Sequence, residues 1–218
     1  MKVIVFGATG MVGQGVLREC LLDSDVDGVL VVGRTPTGQR HEKLTELLHR
    51  DFTDFSTVAA EMTGYDACFF CLGVSSVGMK EEDYRRITYD FTLAAARTLA
   101  EVNPDSTFVY VTGAGTDSTE QGRSMWARVK GKTENDVIAL PFHGYAMRPG
   151  YIQPLHGVGA KVRWYRWVYS ALTPLYPVLH RVFPKYTTTT EQIGRAMLAV
   201  ARNNPPKRVL DVPDINAL

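Results

Sequence analysis

The chain has 218 residues, 45% of them hydrophobic and 22% charged, with a formal net charge of +1. That length can bury a full core in one domain with a small appendage, and the near-neutral charge gives no footing to a nucleic-acid partner. No apolar run reaches the ~18 residues of a membrane-spanning helix, and the chain enters a strand at once, without space for a cleavable leader. Its three cysteines make no disulfide framework, so a cytoplasmic protein is expected.

Residues 2–6 form a short apolar run, Lys2-Val3-Ile4-Val5-Phe6, that reads as a buried strand. It runs into Gly7-Ala8-Thr9-Gly10-Met11-Val12-Gly13 and then into an apolar-periodic helix over 11–22. Strand, glycine turn and helix N-terminus together make an anion site. Glycines let a pyrophosphate approach the main chain, and the unpaired amides of the first turn point at it. With a second strand following at βαβ spacing, the pattern implies a dinucleotide site built on Gly7, Thr9, Gly10, Met11, Val12 and Gly13.

The second strand, 28–32, leads to Gly33-Arg34-Thr35. Chains that hold NAD usually place a carboxylate here for the ribose 2′-hydroxyl. This chain has none. Arg34 instead offers a guanidinium that can pair with a 2′-phosphate, with Thr35 and Arg40 near it in sequence, so NADP(H) is expected over NAD(H). A third strand at 46–49 precedes Asp51-Phe52, a carboxylate and a ring suited to an adenine edge, and a helix is expected over 55–62.

The fourth strand, 67–72, contains Cys68 and Cys71. Residues three apart on a strand face opposite ways, so neither a disulfide nor a zinc pair is expected. Leu72-Gly73 follows, where a glycine lets the chain pass close under a cofactor ribose. The helical pattern over 81–102 carries Tyr84, Ile87, Phe91, Ala94, Ala95 and Leu99, and Asn103-Pro104 ends it. Strand 107–111, helix 124–139 with Ser124 as its cap, and strand 143–148 complete the alternation. Alternating strands and helices imply a doubly wound α/β fold, a parallel sheet in the order 3-2-1-4-5-6 with ligands at the carboxyl ends of its strands.

After Pro149-Gly150 the pattern changes. Residues 149–189 hold five of the eleven prolines and the basic, aromatic stretch 161–169, which reads as a small helical cap over the strand ends. The division expected is a nucleotide-binding domain over 1–150 and, in the same structural unit, a cap with a final helix over 151–218. Glu191–Ala201 reads as that helix, with Thr190 as its N-cap, and 208–211 as a short edge strand. A bulky, apolar substrate suits such a cap. Contact with a membrane surface is the weaker reading, because Pro174 and Pro177 break any long amphipathic helix.

The motifs GATGMVG, VVGR, DF, FFCLG and RPG, together with Lys130-Gly131-Lys132-Thr133-Glu134, resemble an atypical short-chain dehydrogenase/reductase, most closely the NmrA-like and Tat-interacting-protein-like oxidoreductase branch. The resemblance implies a Rossmann-type fold, NADP(H) binding, and carbonyl reduction or a sugar-epimerase-like reaction. It also implies a catalytic Tyr-x-x-x-Lys on a helix and a hydroxyl after the fifth strand. Here Lys130 stands, but Trp126 occupies the tyrosine position, and indole cannot cycle a proton at neutral pH. Thr112 is the candidate hydroxyl, Lys130 the candidate ribose-holding cation, and Tyr151 the candidate replacement acid. The alternative is a non-catalytic NADP(H)-binding redox sensor, which the loss of the tyrosine also fits.

Overall fold

The computed structural model describes residues 1–158, 176 and 181–218. Seven strands form one parallel sheet: β1 (Lys2–Phe6), β2 (Gly28–Gly33), β3 (Leu44–Leu48), β4 (Ala67–Phe70), β5 (Thr107–Val111), β6 (His143–Arg148) and β9 (Val209–Asp211). Their order is β3-β2-β1-β4-β5-β6-β9. The expected doubly wound Rossmann-type topology is present, extended by β9, which pairs Leu210 with Met147 at the edge. The switch point lies between β1 and β4, where the crossovers change direction and a crevice opens at the strand ends.

The unbroken apolar run of β1 follows from burial on both faces. Val3 and Val5 pack with Val16, Leu17 and the residues Ile193 and Met197. Ile4 and Phe6 point the other way, into a cluster with Phe52, Phe55, Phe70 and Leu99. The same alternation separates the cysteines. Cys68 belongs to the second cluster and Cys71 packs on the first, and both are free thiols.

Helices α1 (Met11–Leu22), α2 (Glu81–Arg85), α3 (Phe91–Val102), α4 (Met125–Ile138), α5 (Thr190–Asn203) and α6 (Val212–Ala217) cover the sheet. Several expectations are corrected. The third strand begins at Leu44, which pairs with Val29, and ends at Leu48, short of His49. Residues 55–62 form two short 3-10 turns, because Asp51 and Asp54 accept bonds from Thr53 and Ser56 amides and pull the chain into side-chain-closed turns. The fourth strand stops at Phe70, so Cys71 and Leu72 lie beyond it.

The helix over 81–102 carries a π turn at Arg86–Asp90. Its buried positions are Tyr84 and Thr88 up to and within that turn, and Thr92, Leu93, Ala95, Ala96, Leu99 and Ala100 after it. Of the expected core positions, Tyr84, Ala95 and Leu99 are buried, and Ile87, Phe91 and Ala94 are only half-buried. Ser124 makes no side-chain cap, and α5 is capped by Thr189, whose hydroxyl accepts the Gln192 amide at 2.9 Å, rather than by Thr190.

Beyond the main sheet, β7 (Tyr151–Gln153) and β8 (Thr187–Thr189) form a separate parallel pair. Residues 159–175 and 177–180, which contain most of the expected cap, lie outside the described residues. No helix among the described residues is long and apolar enough to cross a membrane.

Candidate functional site

Two adjoining clefts run along the carboxyl ends of the strands and share Leu72. Their junction is the glycine turn. Gly7 has φ +73°, and a Cβ there would stand 2.7 Å from the Cys71 carbonyl carbon and the Leu72 nitrogen. Its carbonyl accepts the Gly10 amide at 2.9 Å, which folds the turn onto the start of α1. A Cβ on Gly13 would stand 2.2 Å from the Gly7 oxygen, so helix and strand meet backbone to backbone. Gly10 caps α1 without a side-chain bond, leaving the amides of the first turn for an anion. A diphosphate fits this cradle, and a side chain at Gly7 or Gly13 would strike the backbone that shapes it.

The adenosine-side cleft, about 380 Å³, is walled by Gly7, Thr9, Gly33, Arg34, Thr35 and Phe52 among others. Arg34 is exposed and makes no ion pair among the described residues, whereas Arg40 is exposed outside that wall. Phe52 is buried edge-on to Phe6 and Phe55. Asp51 turns into its own loop, where Oδ1 accepts the Thr53 amide at 2.9 Å and the Thr53 hydroxyl at 2.5 Å. These bonds hold its carboxyl below the usual carboxylate range. The wall beside it is Phe52.

The second cleft, about 600 Å³, brings together Met11, Val12, Gly73, Thr112, Trp126 and Lys130. Trp126 and Lys130 lie one turn apart on α4 and share the face toward it. Lys130 Nζ donates to the Thr112 carbonyl at 2.7 Å. Burial pulls its pKa down to about 8, against the pull of the Glu134 carboxylate. Cys71 also lines this cleft, and burial pushes its thiol up.

The two candidate hydroxyls are committed elsewhere. Thr112 Oγ1 donates to Glu134 Oε1 at 2.6 Å and lies 3.1 Å from the Met147 carbonyl, so its hydroxyl faces the protein interior. Tyr151 donates to Gln153 Oε1 at 2.9 Å. On β7 its neighbour Ile152 faces the cleft, and alternation sends Tyr151 to the other side with Gln153. In this structure the Thr112 hydroxyl is thus held by Glu134 and the Tyr151 hydroxyl by Gln153.

Sequence reasoning did not foresee the buried network behind Lys130. Glu134 is fully buried, and Arg148 meets it through Nε at 3.0 Å and Nη2 at 2.5 Å. Ser118 also receives the Arg148 guanidinium. The only local signal was a glutamate one turn after the lysine.

A parallel sheet with a glycine-turn cradle and a lysine at the far end of one crevice defines an NAD(P)(H)-binding protein of the short-chain dehydrogenase/reductase type. A sequence family described as NAD(P)H-binding matches residues 7–139, and the chain belongs to that family, as an atypical short-chain dehydrogenase/reductase. The mitochondrial protein FMP52-2 of Scheffersomyces stipitis is 31% identical over 152 residues, 68% of this chain and just under two thirds, 65%, of that protein. HTATIP2 of Rattus norvegicus is 26% identical over 154 residues, 69% of this chain and 65% of that protein. Among solved structures, a UDP-glucose 4-epimerase shares the fold at TM-score 0.71 and 15% identity, covering 100% of this chain and 80% of its own. WbmF of Bordetella bronchiseptica, in complex with NAD+, shares it at 0.69 and 16%, covering 99% and 76%.

Proposed function

We propose that the protein is an NADP(H)-dependent oxidoreductase of apolar carbonyl compounds, with Trp126 standing where related enzymes carry a tyrosine. The observation that carries the cofactor preference is Arg34, which lines the adenosine-side cleft, beside a strand end without a carboxylate and with no ion-pair partner among the described residues. Its guanidinium suits a 2′-phosphate through charge-assisted bonds. When bound, the nicotinamide supplies hydride chemistry. The chain's own contribution is to seat the diphosphate on the Gly7–Gly13 turn, flank the adenosine with Phe52, and hold Lys130 at the opposite end. Val74, Val111, Ala114, Trp126 and Ile152 give the second cleft an apolar wall, which supports an apolar substrate.

The test is cofactor affinity in wild type and Arg34→Ala. NADPH affinity should fall about 10- to 100-fold in the variant, the worth of one charge-assisted contact, while NADH affinity stays unchanged. Equal NADPH binding by both proteins removes Arg34 from this role.

A second reading, an NADP(H) redox sensor, is favoured by the commitment of the Thr112 and Tyr151 hydroxyls to Glu134 and Gln153. Failure of NADPH oxidation against aldehydes, ketones and quinones, with tight cofactor binding, would favour it. The cytoplasm is our proposed location. The relatives named mitochondrial make the mitochondrion the other outcome of a fractionation experiment.

A further inference from the structure

We propose that Lys130 is itself the proton donor to the substrate oxygen, in place of the tyrosine hydroxyl that the Trp126 position lacks. The proposal rests on the reading of the 600 Å³ cleft as a site of carbonyl reduction.

Among the described residues lining that cleft, only Lys130 and Cys71 carry side chains that gain or lose a proton. Burial holds the Cys71 thiol protonated, far above the range of a working acid. Trp126 has an indole N–H that donates a hydrogen bond and keeps its proton. Thr112 gives its hydroxyl to Glu134 and Tyr151 gives its own to Gln153. Lys130 is left as the acid the cleft contains.

Its amine is also held in one direction. An ammonium has three N–H bonds. One goes to the Thr112 carbonyl at 2.7 Å, which leaves two for ligands in the cleft. The anchor is rigid, because the Thr112 amide donates to the Met147 carbonyl at 2.8 Å and the Thr112 hydroxyl is fixed on Glu134. The groups around the amine are few. Glu134 follows one turn later on α4, Arg148 of β6 neutralises that carboxylate, and Cys71 faces from the end of β4. A half-desolvated lysine whose only near carboxylate among the described residues is already paired has little to hold its proton. Its depressed pKa, about 8, agrees with that arrangement.

The step balances. A bound reduced nicotinamide would supply a hydride to the carbonyl carbon, which would move the C=O π pair onto the oxygen. That oxygen takes a proton from the Lys130 ammonium. The lysine is left as a neutral amine and regains a proton from water at the cleft mouth.

The test combines a direct titration with turnover. The full chain labelled with 13Cε-lysine is titrated by NMR, with Lys130→Arg assigning the resonance. A midpoint near 8 is expected, against 10.5 for an ordinary lysine. With NADPH and 4-nitrobenzaldehyde as the probe, kcat/KM should fall above the same midpoint. Lys130→Arg should keep NADPH binding within about threefold and lose turnover by about 100-fold or more, because a guanidinium does not release its proton. Lys130→Met, with its unfolding midpoint recorded, should lose turnover equally and guards against a misfolded arginine variant. A midpoint above 10, turnover by Lys130→Arg within tenfold of wild type, or no aldehyde reduction by wild type that binds NADPH overturns the proposal. Wild type that binds no NADPH overturns the cofactor reading beneath it.

Discussion

The hydroxyl of Thr112 and the carboxylate of Glu134 lie 2.6 Å apart, on a strand end and a helix that are 22 residues apart in sequence. This bond, with the two that Arg148 makes to the same carboxylate, ties β5, α4 and β6 together directly behind the second cleft. Thr112→Val removes one donor from a carboxylate that keeps its arginine, and should cost about 1–2 kcal/mol in urea unfolding. Glu134→Gln leaves the Arg148 guanidinium facing an amide, and should cost about 3–5 kcal/mol. Equal costs would mean that Arg148 finds another counter-charge.

The glycines of the nucleotide turn separate into two kinds. Gly13→Ala should destabilise by about 2 kcal/mol or more, because the added methyl would meet the Gly7 carbonyl at 2.2 Å, outweighing the ~1 kcal/mol gain in helix propensity. Gly73→Ala meets nothing within 4 Å and should change stability by no more than about 0.5 kcal/mol. Its NADPH affinity should still fall several-fold, if the bare main chain at Gly73 lies against the bound ribose. Calorimetric titration beside urea unfolding separates the two effects.

Lys130 makes a pH prediction with a definite sign. Its folded-state pKa, about 8, lies below the ordinary lysine value of 10.5, so between those values the unfolded chain binds more protons than the folded one. Wild-type stability should therefore rise with pH from about 8 to 10.5 more steeply than that of Lys130→Met. The difference in slope should be about 1 kcal/mol per pH unit. Parallel slopes would show an ordinary lysine.

What could be read from the sequence was local. The run Val3–Phe6 announces a strand buried on both faces, and Gly7 follows it at the spacing a phosphate turn requires. Arg34 follows β2 and Phe52 lies in the turn beyond β3, its neighbour in the sheet, so both reach one crevice. The Glu134–Arg148 pair was hidden because it joins different elements, and a glutamate in a helix reads equally well as solvated surface. The orientation of Tyr151 was hidden for the same reason. The face it takes is fixed by pairing with Thr187, which lies on the far side of the undescribed segment. The helical template over 81–102 placed Tyr84, Ala95 and Leu99 in the core correctly, while Ile87, Phe91 and Ala94, in and after the π turn at Arg86–Asp90, are only half-buried.

The most direct test of the account is NADPH binding by Gly10→Asp. Gly10 occupies the N-cap of α1 with φ −83° and ψ 166°, a conformation that aspartate adopts readily at helix starts. Its Cβ would meet only the Gly7 oxygen, at 3.3 Å, so the variant should fold with stability within about 1 kcal/mol of wild type. Its carboxylate, however, would stand on the helix amides where the diphosphate is expected. Calorimetry should show one saturable site per chain in wild type and none in the variant. Undiminished NADPH binding by Gly10→Asp, or no heat from either nucleotide with wild type, would contradict the account.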